Sequence, residues 1–277
     1  MYLLFDIGGT KTRVAYSKDG VAFSQPFMRD TEKDFPTAMN VMKEMFQEAA
    51  GDGVIQAAAG GVRSLDSGKK KLRAHPYPLW VHEPLHEELE KMLGVPVYLE
   101  NDAALAGLGE AAAGAGRGYP IVAYITVSTG VGGARIVQNT IDPSAQGFEP
   151  GSQIISVDGS SSAAGSKPAS LENHVSGTAF LQKFGKQPHE ISDPKVWEEA
   201  ARVLAFGLHN TIVHWSPDVL VLGGSMITGD PAISIDRIRE HLKNILAIFP
   251  DLPEIKKAEL GDTAGLYGAL AFLNAKK

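Results

Sequence analysis

The chain has 277 residues, 44% hydrophobic and 21% charged, with a formal net charge of −6. That balance suits a globular chain with a sizeable core, and it argues against nucleic acid or an anionic membrane surface as a partner. The absence of cysteine excludes disulfides, thiolate metal sites and a cysteine nucleophile.

Tyr2 to Ile7 is a short apolar run broken by Asp6. It reads as a buried strand and not as a signal peptide, because no basic segment precedes it. No apolar run approaches a membrane span, so a cytoplasmic protein is expected. Gly8-Gly9-Thr10-Lys11-Thr12 follows, and Arg13 to Tyr16 resumes an extended pattern. A P-loop is rejected, because its spacing and its following helix are both missing. Two readings remain: a tight hairpin that needs glycine for positive φ, or a turn whose N–H groups, with the Thr10 and Thr12 hydroxyls, meet phosphate. A carboxylate at a buried strand end needs a partner, and Mg²⁺ with its waters suits Asp6. Asp19-Gly20 signals a further hairpin into Val21-Ala22-Phe23.

Pro36 to Ala50 predicts a helix with Met39, Met42, Met45, Phe46 and Ala49 on its core face, ended by Gly51. Val54 to Ala59 predicts a strand leading into Gly60-Gly61-Val62. Lys69 to Lys71 reads as the tip of a solvated hairpin. A helix through Leu85, Leu89 and Met92 ends at Gly94, and Val97-Tyr98-Leu99 is β-prone. Glu100-Asn101-Asp102 then lies where that strand meets an Ala-rich helix, Ala103 to Ala113. Asn101 or Asp102 serves there either as a helix cap or as a functional group at a sheet edge.

Gly114 to Gly118 marks a lobe boundary. Ile121 to Val127 predicts a strand, Ser128-Thr129-Gly130-Val131-Gly132-Gly133 a second glycine-rich turn, and Ala134 to Val137 another strand. Two strand–glycine turn–strand units with an acid between them suggest phosphoryl transfer, the two turns clamping a nucleotide's phosphates. Asn139 to Ser170 is a long connection rich in small residues, strand-like only at Gln153 to Val157. A helix is expected to start near Leu171. Val196 to Trp215 is amphipathic, and Val219 to Leu222 is a buried strand ending in Gly223-Gly224-Ser225. That glycine pair is either a strand-to-helix turn or a surface on which an adenosine lies. Ile238, Leu242 and Ile245 share a further helix; Asp262 to Gly265 caps a last one, Leu266 to Asn274, whose small residues suit close helix packing.

Asp6-Ile7-Gly8-Gly9-Thr10-Lys11, Glu100-Asn101-Asp102-Ala103, Ser128 to Gly133 and Leu222-Gly223-Gly224 together resemble the ROK family of sugar kinases and repressors. The resemblance runs from Tyr2 to about Phe272. It implies an α/β, two-lobed actin-like ATPase (ribonuclease H-like) fold with an interlobe cleft. The lobes would be residues 1–115 with 262–277, and 116–261. It implies ATP-dependent phosphorylation of a hexose at the 6-hydroxyl, glucokinase-like, with Asp102 as general base. Asn101, Gly60, Gly61, Glu149 and Glu172 would meet the sugar. Gly8, Gly9, Thr10, Lys11, Thr129 and Gly130 would meet the donor phosphates, Gly223 and Gly224 the adenosine, and Asp6 the Mg²⁺ through water. Many members carry a cysteine-rich zinc site preceded by a Gly-His pair. Here Ser152 stands where that histidine would be and Ser170 where a zinc cysteine would be, so no structural zinc is expected. No helix-turn-helix precedes Tyr2, which points to the kinase branch. The resemblance leaves the hexose, and ATP against polyphosphate as donor, undetermined; a homodimer is possible. A catalytically weak sugar-binding or regulatory protein on the same fold is the alternative. An acetate-kinase-type or chaperone-type ATPase is disfavoured by the Asn101-Asp102 pair.

Overall fold

The computed structural model describes residues 1–73, 78–156 and 169–276. The chain forms two compact units: Met1–Ala112 with Pro143–Gly147 and Asp262–Lys277, and Ala113–Asp142 with Phe148–Gly261.

The first unit runs β1 (Tyr2–Ile7), β2 (Lys11–Ser17), β3 (Phe27–Asp30), α1 (Phe35–Ala50), β4 (Ala57–Val62), α2 (Leu85–Leu93), β5 (Val97–Glu100) and α3 (Asp102–Ala113). Its sheet has the order β3-β2-β1-β4-β5. The β1–β2 hairpin is antiparallel, with Asp6 opposite Arg13. β1–β4 and β4–β5 are parallel, which brings Gly61 beside both Asp6 and Glu100. The α1 methionines are core, as their spacing predicts, and Phe46 of that helix meets Phe5 at 5.7 Å between ring centroids. Asp34 caps α1 by accepting from the Thr37 N–H at 3.0 Å.

The second unit runs β6 (Ile121–Val127), β7 (Val131–Val137), β8 (Thr140–Ile141), β9 (Ile154–Ser156), β10 (Ala169–Ser170), α4 (Glu172–Val175), α5 (Gly177–Phe184), α6 (Pro194–Trp215), β11 (Val219–Gly223), α7 (Ser225–Thr228), α8 (Ile235–Ile245) and β12 (Glu254–Lys257). Its main sheet has the order β12-β11-β6-β7-β8. Again one antiparallel hairpin, β6–β7, is extended by parallel neighbours. The core gathers α6, with Leu204 and Leu208 fully buried, against β6, β11 and α8.

The chain ends in α9 (Ala264–Asn274), which belongs to the first unit. A Cβ on Gly268 would stand 1.8 Å from the Leu105 carbonyl oxygen, and one on Gly109 would stand 2.1 Å from that of Ala264. Only glycine lets α9 and α3 approach so closely, which is the close helix packing expected of that small-residue helix.

Several local expectations need correcting. β4 starts three residues later than the predicted strand and contains Gly60 and Gly61 instead of ending before them. The Gly60 position is already filled by Phe5, whose ring lies 2.1 Å from where a Cβ would be. Residues 21–23 form no strand; the third strand is Phe27–Asp30. Gly132 and Gly133 lie inside β7, so the second turn is only Ser128-Thr129-Gly130. The last helix begins at Ala264, with Thr263 as its N-cap residue and no side-chain cap hydrogen bond, and the Asp262 carboxylate instead accepts from Arg13 at 2.6 Å. Val157, expected to end a strand, lies outside the described residues, as do residues 158–168 of the long connection.

Candidate active site

Asp6 and Asp102 converge on Gly61. A Cβ there would stand 3.2 Å from the Asp102 Cα and 3.4 Å from the Asp6 Oδ1. On its other side the Asp6 carboxyl meets Gly265 of α9, where a Cβ would be 3.4 Å from its Cγ. Asp6 thus sits in a slot that two glycines leave open. Burial pushes its pKa up to about 7; the Asp102 charge adds to the rise, Arg13 opposes it and Asp262 adds again. The Arg13 guanidinium lies 3.9 Å from Asp6, but its short hydrogen bond goes to Asp262.

Asp102 opens α3. Burial raises its pKa as well, while the Ala103 N–H, bonded to Oδ1 at 2.8 Å, and the charge of Arg63 pull it down. Among the described residues it takes part in no salt bridge. Asn101 is the helix cap, its Oδ1 accepting from the Ala104 N–H at 3.2 Å. Its amide keeps two N–H donors. Capping and a second role are therefore compatible at Asn101.

The first glycine turn is pinned at one end by the Gly8 N–H donating to the Lys11 carbonyl at 2.9 Å. Neither Gly8 nor Gly9 has a positive φ, so backbone conformation is not why glycine stands there. A Cβ on Gly9 would meet nothing within 4 Å. Thr10 is exposed. Thr12, by contrast, is buried and its hydroxyl bonds that of Thr31 at 2.9 Å; Thr31 in turn donates to the Gly8 carbonyl at 2.8 Å. The expected Thr12 hydroxyl is therefore a structural group. The Lys11 ammonium pairs with Asp30 on β3.

The second turn is braced from three elements. Glu172, first residue of α4, accepts from the Val131 N–H through Oε2 at 2.7 Å. Gly177 N donates to the Ser128 carbonyl at 2.7 Å, and the Thr178 hydroxyl donates to the Thr129 carbonyl at 2.8 Å. The Ser128 and Ser225 hydroxyls meet at 3.0 Å. Gly151 follows the exposed Glu149 by two residues and packs so closely that a Cβ would be 2.3 Å from the Val131 carbonyl. Glu149, Glu172, Thr129 and Gly130 thus belong to one neighbourhood in the second unit. Gly223 and Gly224 end β11. Tyr124 and Ala258 take up the side-chain space of Gly223, and Gly224 has φ +84° with the Val127 carbonyl 2.3 Å from a Cβ. Packing and turn geometry alone explain both glycines.

Lys69 to Lys71 are exposed on a hairpin closed by the Leu65–Leu72 bridge, as expected, with one difference. Lys69 is not simply solvated: its ammonium pairs with the carboxylate of Glu100, which is 6% exposed. Arg13 and Arg63 were also missed. Neither pairing was visible in the sequence, because Lys69 and Glu100 are 31 residues apart and Arg13 and Asp262 are 249 apart.

Two α/β units, each sheet begun by an antiparallel hairpin over a glycine turn and extended by parallel strands, place the chain in the actin-like ATPase fold. Within that fold it belongs to the ROK family, whose family model matches residues 2–276. It is 27% identical over 307 residues to a glucokinase of Thermotoga maritima, covering 98% of this chain and 96% of that one. It is 25% identical over 307 residues to an N-acetyl-D-glucosamine kinase of Yersinia pseudotuberculosis, covering 99% of each. A ROK family glucokinase from Streptomyces griseus, solved with glucose and AMPPNP, superposes with a TM-score of 0.79 at 25% identity, covering 100% of this chain and 99% of that one. Among the described residues no helix is long and apolar enough to cross a membrane.

Proposed function

We propose that this chain is an ATP- and Mg²⁺-dependent hexose kinase, glucokinase-like, in which Asp102 is the general base for transfer to the sugar 6-hydroxyl. Family membership and the glucokinase and N-acetyl-D-glucosamine kinase relatives support a sugar acceptor. The AMPPNP bound by the Streptomyces griseus enzyme supports ATP as donor.

The observation that carries the reading is the state of Asp102. Its carboxylate is desolvated, held at the first turn of α3 and, although the Arg63 charge reaches it, joined in no salt bridge among the described residues. A base so placed is free to accept a hydroxyl proton, and burial moves its pKa toward the working range. In the proposed step the sugar oxygen bonds to the γ-phosphorus, the bond from that phosphorus to the β-bridging oxygen breaks, and the proton passes to Asp102. Asn101, Gly60, Gly61, Glu149 and Glu172 are assigned to the sugar. The N–H groups of Gly8 to Lys11 and of Thr129 and Gly130 are assigned to the donor phosphates, and Gly223 and Gly224 to adenosine. The proposed lobes are residues 1–115 with 262–277, and 116–261; the compact units support them but divide after Ala112 and count Pro143–Gly147 with the first.

Asp6 suits Mg²⁺. It is a desolvated acid next to a second acid, and a cation relieves both burdens. Mg²⁺ takes one or two carboxylates with waters and substrate phosphates, so a single protein acid is an adequate set. Bound there, the ion neutralises charge on the transferring phosphate. Asp6 would hold it through water, while Arg13 steadies Asp6 when the ion is absent.

Coupled ADP release over glucose, mannose, fructose, allose and N-acetylated hexosamines tests the reading with ATP as donor, and direct detection of sugar phosphate tests it with polyphosphate as donor. At least one sugar is expected to give sugar-dependent turnover of about 1–100 s⁻¹. ADP release that no sugar changes would contradict it.

A further inference from the structure

We propose that the Lys69–Glu100 ion pair is a positioning clasp that ties the hairpin after β4 to the segment carrying Asn101 and Asp102. Its kinetic consequence rests on the kinase reading; the clasp itself does not.

Glu100 ends β5 beside Gly61 and is 6% exposed. A carboxylate so buried needs both oxygens satisfied. Oε2 takes the Lys69 ammonium and Oε1 accepts from the Asn101 N–H at 3.0 Å. The residue that caps α3 is thus held by the acid that the lysine neutralises. The lysine end is built with equal care. Leu65 and Leu72 bridge antiparallel and are both buried. The Asp66 N–H donates to the Lys71 carbonyl at 2.8 Å, and the Asp66 carboxylate accepts from the Lys70 N–H at 2.7 Å. Lys69 itself sits at φ +54°, a conformation a side chain adopts only when its surroundings impose it. Its half-exposed stem then reaches the buried acid.

The hairpin grows directly from Gly60-Gly61-Val62 and Arg63, whose charge acts on Asp102. Two tethers therefore meet at the base: the β4–β5 ladder, and a salt bridge that closes the loop between those strands. Removing the cation leaves a buried carboxylate uncompensated one residue from Asn101, so the disturbance falls on residues 100–104 before it reaches the rest of the fold. Positioning the acceptor and its base depends on that segment, whereas holding the donor does not.

The test is amide hydrogen exchange with steady-state kinetics on Lys69→Met, Glu100→Gln and Lys69→Arg. Lys69→Met and Glu100→Gln are expected to speed exchange about tenfold or more in residues 65–73 and 100–105, with α1 and α6 unchanged. Lys69→Arg restores protection. In turnover, the sugar KM is expected to rise about tenfold while the ATP KM stays within about twofold, since only the acceptor side loses its support. Exchange in Lys69→Met equal to wild type, or equally faster in every element, overturns the clasp. If the wild-type chain transfers phosphate to no sugar, that failure falls on the kinase reading and the exchange result alone decides the clasp.

Discussion

The two glycine turns look alike in sequence and are held in different ways. Ser128-Thr129-Gly130 is gripped by Glu172, Gly177, Thr178 and Ser225, so its backbone is fixed before any ligand arrives. Gly8-Gly9-Thr10 has one internal hydrogen bond and a single outside brace, Thr31, whose N–H donates to the Thr10 carbonyl and whose hydroxyl donates to the Gly8 carbonyl; open space lies over Gly9, and the strand leading into the turn carries the desolvated Asp6. One turn is finished; the other carries an electrostatic penalty that a bound cation would relieve.

The largest expected effect that sharpens this contrast is at Asp6. Its native pKa of about 7 lies above the ordinary 3.8. The native state therefore holds the proton more tightly than the unfolded one. Ionising Asp6 opposes folding, with no penalty below the unfolded pKa and the full penalty above the native one. Asp6→Asn should stabilise the chain by about 2–4 kcal/mol near pH 8 and by almost nothing near pH 4, while lowering Mg²⁺-dependent turnover. Urea unfolding at both pH values checks this, and an equal gain at both would refute the penalty.

Next in size is Glu172→Ala. It leaves the buried Val131 N–H without its acceptor, a loss of about 1–3 kcal/mol in stability, with a raised donor KM and, because Glu172 is also assigned to the sugar, a raised sugar KM. Glu172→Gln keeps an acceptor and should recover most of each. If neither variant moves the donor KM, the brace has no part in donor binding.

The smallest effect separates two glycines in one turn. Gly8→Ala pushes a Cβ to 2.9 Å from the Lys11 carbonyl and must shift backbone, at a cost of about 1 kcal/mol. Gly9→Ala meets nothing, so its stability should stay within about 0.5 kcal/mol while the donor KM rises. An unchanged KM in Gly9→Ala would mean that no phosphate approaches there.

Much of the fold was legible because it is local. The α1 methionines, the strand Ile121–Val127 and the long helix α6 follow from periodicity, and the Asp102 junction from a β-prone run meeting alanines. β4 was misplaced because Ala57 to Gly61 lack the branched residues that announce a strand. Gly60 and Gly61 carry no side chain because Phe5, Asp6 and Asp102 occupy the room one would need, and no local pattern encodes that. Thr12 was misjudged for the same reason: its partner, Thr31, lies on the next strand's exit. Lys69 looked like one of three solvated lysines, and only the positive φ at its position and a distant acid make it different.

The central claim is that Asp102 takes the proton and does not hold the sugar. Asp102→Asn, examined by sugar titration calorimetry and by turnover on the same preparation, separates those roles. Sugar affinity is expected to stay within about threefold of wild type while kcat falls by about 10²-fold or more. Turnover close to wild type, or a loss confined to sugar affinity, would contradict it.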